Sequence, residues 1–249
     1  IVESNFDAIC VHQAGFPNVV ATLGGHISSD NISLLNKLQW VNGAIHSYEN
    51  WQTRQTTKVS IEDLKSPNIG NPYGYYFEEQ FISCGLYQHF YSTQIKNLLL
   101  KNNKKLILEL GAGYGGMAYF LIRDIFNVTY LDLDLPENIA LTSFYLLKAF
   151  PNKNIILYGE CDNINDNLND GNILLMPSFI VKDLNSNQFD LVFNSYSLAE
   201  MNKETIDFYM IEFDSLITSS GYFYHLNHNS RCIVKADDFG INSNNFNLL

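Results

Sequence analysis

The segment Leu106–Gly116, which reads LILELGAGYGG, constrains the fold of this chain more than any other stretch. An apolar run suited to a buried strand leads directly into a turn with four glycines, and the apolar positions of a helix follow. Glycine lets the backbone turn tightly and approach a ligand closely, because no side chain intervenes. A glycine-rich turn between a strand and a helix is typical of a nucleotide-binding loop. A turn without a ligand is disfavoured, because it does not need four conformationally costly glycines.

Strands and helices alternate around this segment. Strands are predicted at 106–110, 128–133, 155–158, 173–176, 189–194 and 222–226. Helices are predicted at 81–100, 116–126, 137–150 and 203–218, the last of them ended by Gly221. The alternation predicts an α/β fold of the Rossmann-like, doubly wound type. Its sheet should be mainly parallel, covered on both faces, with strand 106–110 at the centre.

The composition excludes several classes of protein. The chain has 249 residues, 46% of them hydrophobic and 16% charged, which suits a folded domain and excludes a disordered chain. Its net charge of −11 disfavours binding to nucleic acid or to an anionic membrane surface. The cysteines (Cys10, Cys84, Cys161 and Cys232) form no CxxC pair, which argues against a zinc or redox site. Glu109 interrupts the longest apolar stretch, so we expect no membrane span, and no signal peptide is visible. The acidic charge suits a cytoplasmic enzyme with a small or neutral substrate.

Three features narrow the type of ligand. Glu109 lies at the end of the strand before the glycines, where a carboxylate suits a cationic amino-acid ligand better than a pyrophosphate. Asp134 ends the next strand, about 20 residues past the loop, where a carboxylate can accept ribose hydroxyls. Strand 189–194 runs into a Ser-rich turn at the edge where open α/β sheets bind substrates. Together these features are typical of a class I S-adenosylmethionine-dependent methyltransferase.

A nicotinamide or flavin enzyme is the alternative interpretation of the same loop. Gly111, Gly113 and Gly116 also satisfy the GxGxxG pattern of dinucleotide-binding proteins. A nicotinamide-dependent oxidoreductase therefore remains open at this point, as the second choice.

Residues 66–230 resemble the bacterial sugar O-methyltransferase family. The resemblance rests on these segments: IGNPYGY (69–75), ILELGAGYGGMAYFL (107–121), LDLPEN (133–138), LLMPS (174–178), FNSYSLAEM (193–201) and YFYHLNH (222–228). The glycine loop is common to many methyltransferases, whereas its combination with GNPYG and NSYSLAEM is more specific. The family implies methyl transfer from S-adenosylmethionine to a sugar hydroxyl in surface-polysaccharide synthesis.

The resemblance also implies roles for individual residues. Cofactor-binding residues would be Glu109, Gly111, Gly113 and Gly115 at the methionine end, Asp134 at the ribose, Leu135 near the adenine, and Asn194. Met176 or Ser178 would also touch the adenine. Substrate-binding residues would be Ser195, Ser197 and Tyr75.

Methyl transfer to a sugar hydroxyl benefits from a base, because the hydroxyl is a weak nucleophile; a base contributes about 10²–10⁴-fold. The candidates are Glu200, His225 and His228, of which we favour Glu200 and His225 as catalytic residues. We expect no metal, because no carboxylate pair follows strand 189–194.

Residues 1–38 resemble the first part of the TOPRIM domain of DnaG-type primases. Glu3 would be the acidic residue of the first TOPRIM motif, but the DxD motif that should follow is missing, so we expect no working Mg²⁺ site. We expect a foreign or chimeric segment at 1–38 that forms a small βαβα appendage, a helical and loop-rich cap at 39–104, and a methyltransferase domain at 105–249. That domain should be incomplete at its C-terminus, and the remote alternative is a fragment of a TOPRIM-type nucleic-acid enzyme.

Overall fold

The computed structural model describes residues 46, 48–54, 60–70, 74–77, 80–83, 86–100, 105–230, 232–241 and 246. The chain divides into two compact units, Ile1–Asn50 and Trp51–Leu249. The predicted appendage at 1–38 lies outside the described residues. The predicted domain boundaries after residues 38 and 104 therefore stay predictions.

A short antiparallel hairpin precedes the main sheet. Strand β1 (Gly74–Phe77) pairs with β2 (Gln80–Ser83), and helix α1 (Leu86–Leu100) follows. The predicted helix 81–100 is wrong at its start, because Phe81 and Ile82 belong to β2. Both are buried, and their apolar character suits either element; periodicity does not distinguish a short buried strand from a helical turn.

The main sheet has six strands. They are β3 (Leu106–Leu110), β4 (Thr129–Asp134), β5 (Ile155–Leu157), β6 (Ile173–Pro177), β7 (Phe189–Ser195) and β8 (Ile217–Leu226). All six are parallel, in the order β5-β6-β4-β3-β7-β8, with β3 in the middle. The predicted Rossmann-like parallel sheet and its central strand are confirmed, because the order reverses at β3 as in doubly wound folds.

Helices cover both faces of this sheet. Three further α-helices are α2 (Gly116–Asp124), α3 (Pro136–Ala149) and α4 (Lys203–Leu216). Short 3-10 helices lie at Ile61–Leu64, Asn165–Asn167, Ser178–Asp183, Ser197–Glu200 and Ala236–Asp238. None of the described helices has the length and hydropathy needed to cross a lipid bilayer.

Two hydrophobic cores, one on each face, hold the layers together. On one face Leu108 and Val192 pack with Phe213 of α4. On the other face Ile107 and Phe193 pack with residues of α1, α2 and α3. Residues of parallel strands that pair in register share a face, so the alternation along each strand decides which side chains meet at the edge of the sheet.

Helix α4 passes into β8 without an intervening loop. The prediction that Gly221 ends the helix is wrong, because α4 ends at Leu216 and Gly221 lies inside β8. A Cβ at Gly221 would lie 2.6 Å from the Cγ2 atom of Ile217 and 3.0 Å from the backbone oxygen of Phe189. Glycine is therefore used here for close approach between β7 and β8, where their pairing shifts register between Phe189 and Leu191.

Candidate functional site

The glycine loop between β3 and α2 is held against its neighbours at Gly111. The Gly111 amide donates to the carbonyl oxygen of Leu133 at 2.9 Å, and the residue has a φ of +84°. A Cβ at this position would lie 2.5 Å from the Oγ atom of Ser197. Gly111 thus serves tight packing inside the protein as well as the turn itself.

Gly113 differs, because the space around it is open. Its φ is +62°, and a Cβ here would meet no atom within 4 Å. The amide of Gly113 donates to Oδ2 of Asp134 at 2.9 Å, and its carbonyl accepts from the hydroxyl of Thr142 at 2.6 Å. The loop backbone is thereby fixed while one side of Gly113 stays clear, which is the geometry that a close-approaching ligand requires.

Asp134 connects the loop to the end of β4. Besides the Gly113 amide, its carboxylate accepts from the amide of Leu135 at 2.7 Å and from Nδ2 of Asn138 at 2.9 Å. The side chain is buried. Its remaining lone pairs could still accept ribose hydroxyls, because an ionised carboxylate offers about four acceptor positions.

Glu109 is a buried carboxyl group at the end of β3. The phenol of Tyr130 donates to its Oε2 atom at 2.5 Å. Burial raises the pKa of Glu109 to about 7, and the charge of Asp134 adds to the rise, whereas the hydrogen bond from Tyr130 opposes it. Glu109 therefore titrates near neutral pH.

Asp132 lies beside Glu109 in register on β4 and is fully buried. Burial, followed by the charges of Glu109 and Asp134, raises the pKa of Asp132 well above its ordinary value. Its Oδ1 atom accepts from the amide of Ala112 at 3.3 Å, but Oδ2 accepts no hydrogen bond from the described residues. The hydroxyl of Thr142, which opposes the rise in pKa, is directed to the carbonyls of Gly113 and Asn138.

The buried acids Glu109, Asp132 and Asp134 thus surround the start of the glycine loop. A buried acceptor without a partner destabilises the protein, and a carboxylate without one does so more strongly. A cationic group bound at the loop would supply that partner and favour the ionised carboxylates.

Asn194 belongs to a separate network of polar side chains. Its Nδ2 atom donates to the carbonyl of Leu110 at 2.9 Å and to Oγ of Ser197 at 2.5 Å, while its Oδ1 accepts from Asn227 at 2.8 Å. Asn227 in turn accepts from the amide of Ala199 at 3.1 Å. The network joins the ends of β3, β7 and β8, and both the nitrogen and the oxygen of the Asn194 side-chain amide form hydrogen bonds in it.

The two predicted bases lie apart from the acid cluster. His225 pairs in register with Asn194, so it lies on the opposite face of the sheet from Glu109. Burial lowers the pKa of His225, whose ring stacks on Phe223 at a centroid distance of 5.2 Å. Glu200 is exposed at the end of the Ser197–Glu200 helix.

The other predicted site residues lie around the same edge. Gly115 precedes α2 with a φ of +90°, and Leu135, just before α3, is 59% exposed. Met176 is fully buried in the core, whereas Ser178 just beyond β6 is partly exposed, and the predicted adenine contact of either residue stays a prediction. Ser195 ends β7 and is partly exposed.

Tyr75 lies in β1, where it pairs with Ile82. Its predicted role in substrate binding stays a prediction.

Residues at the start of α1 approach the loop without having been predicted to do so. The phenol of Tyr114 donates to Oε1 of Gln88 at 2.8 Å, and a Cβ at Gly116 would lie 2.4 Å from that oxygen. Tyr87, the neighbour of Gln88 in α1, is 46% exposed. The signal in the sequence is Gln88, a buried polar residue in a helix of apolar spacing.

Comparison with known protein families gives a match at the start of the chain. Residues 1–59 match the model of the Toprim domain, in agreement with the resemblance of residues 1–38 to that domain. No curated protein matches the sequence.

Several solved structures resemble part of the chain. The PH0226 protein from Pyrococcus horikoshii OT3 matches with 16% identity over 56% of this chain and 57% of its own, at a TM-score of 0.39. The CcbJ methyltransferase from Streptomyces caelestis matches with 19% identity over 53% and 47%, at 0.36. The CurJ carbon methyltransferase matches with 14% identity over 59% and 40%, at 0.38. The chain spans about half the length of these structures, and similarity at this level does not establish function.

Proposed function

We propose that the chain is an S-adenosylmethionine-dependent O-methyltransferase that acts on a sugar hydroxyl. The observation that carries the proposal is the buried Oδ2 atom of Asp132, which lies beside Glu109 at the start of the glycine loop and has no hydrogen-bond partner among the described residues. S-adenosylmethionine carries an ammonium and a sulfonium, and a cation is the partner that this pair of acids requires.

A dinucleotide suits the same residues less well. The pyrophosphate of a nicotinamide cofactor binds at the glycine turn, close to the following helix N-terminus. Here that turn is flanked by Glu109, Asp132 and Asp134, all of them buried. Anionic phosphates next to buried acids would be repelled or would force the acids to stay protonated. The acid cluster therefore favours the methyltransferase.

We assign a separate role in cofactor binding to each residue of the site. Asp132 and Glu109 would bind the amino-acid end of the cofactor, the open side of Gly113 would admit it, and Asp134 would accept the ribose hydroxyls. Bound S-adenosylmethionine supplies an electrophilic methyl group on a positively charged sulfur. Alignment of the hydroxyl with that methyl accounts for much of the rate in a displacement of this kind.

His225 and Glu200 are the proposed bases for the hydroxyl proton. Asn227 faces Nδ1 of His225 at 3.5 Å, and the lowered pKa keeps the ring neutral near pH 7, the form in which an imidazole can take up a proton. Glu200 is exposed and could reach the same edge from its helix. Comparing the rates of the His225→Gln and Glu200→Gln variants decides between them, since loss of a base costs about 10²–10⁴-fold.

Isothermal titration with S-adenosylhomocysteine, NAD and NADP tests the cofactor. We expect S-adenosylhomocysteine alone to bind, and to bind less tightly to the Asp132→Asn variant. Binding of NAD or NADP instead would replace the proposal with the oxidoreductase.

The sugar acceptor, the role in surface-polysaccharide synthesis and a cytoplasmic location are further parts of this proposal. They rest on the segments shared with the sugar O-methyltransferase family, of which FNSYSLAEM forms the edge described above. Mass spectrometry of polysaccharide from cells with and without the gene would test this role, with loss of a methylated sugar as the expected result.

A further inference from the structure

Tyr196 has a backbone conformation that tyrosine rarely adopts. It follows β7 directly, with a φ of +65° and a ψ of −27°. The left-handed region is disfavoured for side chains other than glycine, asparagine and aspartate. The remaining described non-glycine residues with positive φ are Asn127, Asp170 and Asn187. Tyr196 is thus the exception in this part of the chain, and strained residues of this kind cluster at functional sites.

Neighbouring contacts hold Tyr196 in place. Its amide donates to the carbonyl of Leu226 at 2.7 Å, and its carbonyl accepts from the amide of Ala199 at 3.1 Å. Its ring stacks on His228 with centroids 4.5 Å apart and planes 29° apart. Tyr196 is 37% exposed and His228 is exposed, so the stacked pair is accessible from solvent.

The pair lies next to the proposed cofactor site. Tyr196 is followed by Ser197, whose hydroxyl donates to the carbonyl of Leu110 and packs on Gly111. The stacked rings therefore lie next to the glycine loop, directly after the end of β7.

We propose that Tyr196 and His228 bind the acceptor, and that they recognise a neutral pyranose ring. This inference rests on the proposed function and names the residues that position its substrate. The flat apolar face of a tyrosine ring matches the C–H face of a pyranose, while the phenol and the imidazole can exchange hydrogen bonds with its hydroxyls. The pair carries an apolar surface with a few polar atoms, which is the usual lining of a small-molecule site.

Saturation-transfer NMR on the full chain tests the inference, with methyl α-glucopyranoside, methyl α-mannopyranoside and methyl α-rhamnopyranoside as probes. Each probe is measured with and without S-adenosylhomocysteine, and the affinity for S-adenosylhomocysteine is measured separately by calorimetry. The variants are Tyr196→Gly and Tyr196→Asn, which both tolerate positive φ, together with His228→Ala. Tyr158→Ala is the matched control, because Tyr158 is an exposed tyrosine that follows β5 and makes an edge-to-face contact with the ring of Phe179.

We expect at least one pyranoside to bind the unmodified chain and the control alike. Its affinity should fall by about ten-fold in the Tyr196 variants, which is what loss of a stacking contact produces. The affinity for S-adenosylhomocysteine should stay within about two-fold, and thermal stability should not fall, because glycine and asparagine relieve the backbone strain. Unchanged pyranoside binding in both Tyr196 variants, or no binding to the unmodified chain, overturns the inference. Failure to bind S-adenosylhomocysteine overturns the proposed function instead, and the pyranoside measurements without it still decide the role of Tyr196.

Discussion

The phenol of Tyr130 on β4 donates a 2.5 Å hydrogen bond to the carboxyl of Glu109 on β3, inside a fully buried part of the sheet edge. The bond stabilises the ionised carboxylate, but burial outweighs it and raises the pKa of Glu109 to about 7. The pKa of Asp132, which lies beside Glu109, is raised as well, so the two acids titrate as a coupled pair.

This coupling predicts that ligand binding depends on pH. A bound ammonium favours the ionised acids, so the affinity for S-adenosylhomocysteine should rise as the pH increases towards about 7 and level off above it. The rise should approach about ten-fold per pH unit if one proton is released. Calorimetry in two buffers of different ionisation enthalpy would measure that proton.

The Glu109→Gln variant is the control for this dependence. It keeps an oxygen for Tyr130 but cannot titrate, so the slope of affinity against pH should flatten. Any titration of the ligand's own amine is common to both proteins and cancels in the comparison. An identical slope in the variant would show that Glu109 does not face the ligand.

Two loop glycines should respond differently to alanine. Gly113→Ala places its Cβ in open space, so stability should fall by only about 1–2 kcal/mol from the positive φ. The affinity for S-adenosylhomocysteine should fall by more than about ten-fold, because the methyl would occupy the open side. Thermal unfolding and calorimetry on the same samples separate the two effects.

Gly111→Ala is the comparison, since its Cβ would overlap Ser197 at 2.5 Å. That variant should lose more stability than Gly113→Ala. If Gly113→Ala binds S-adenosylhomocysteine normally, the open side of Gly113 is not where the ligand lies.

Much of this edge could be predicted from the sequence, because local features determine it. The glycine loop follows from the residues of β3 and the four glycines, and Asp134 follows from its position after the second strand. Tertiary structure determines the rest. The Oδ2 atom of Asp132 has no hydrogen-bond partner among the described residues, and the hydroxyl of Thr142 on α3 lies within hydrogen-bond distance of two backbone carbonyls. No local pattern in the sequence reveals this arrangement. The strained backbone of Tyr196 depends likewise on the neighbouring β8.

The Asp134→Ala variant should lose cofactor affinity by roughly 1.5–3 kcal/mol, since hydrogen bonds to a charged group are removed. The Gly113 amide also loses its acceptor, so a modest loss of stability should accompany it. Calorimetry with S-adenosylhomocysteine measures the affinity, and Asp166→Ala, an exposed aspartate on the Asn165–Asn167 helix, is the matched control. Unchanged affinity would indicate that Asp132, rather than Asp134, binds the ribose.

Asn194→Ala should reduce stability more than it reduces ligand binding. The fully buried amide donates to the Leu110 carbonyl and accepts from Asn227, so its removal deprives Asn227 of an acceptor and leaves Ser197 as the side-chain donor to Leu110. The expected loss in the free energy of unfolding is about 2–4 kcal/mol, measured by urea denaturation. A stable variant that no longer binds S-adenosylhomocysteine would make Asn194 a direct cofactor contact, as the family resemblance implies.

Deletion of residues 1–50 should leave S-adenosylhomocysteine binding within a few-fold of the full chain. Every residue of the proposed cofactor site lies in the unit Trp51–Leu249. The cut keeps Trp51, whose buried indole donates to Nδ1 of His89 at 3.0 Å, so it retains a contact that stabilises α1. A second truncation that also removes Trp51 should be less stable, since His89 then loses its donor.

Calorimetry and thermal unfolding of the two truncated proteins test this division of the chain. A folded 51–249 protein that no longer binds S-adenosylhomocysteine would show that the Toprim-like region belongs to the enzyme. Normal binding would show instead that the cofactor site is complete without residues 1–50, which make up most of the region that matches the Toprim domain.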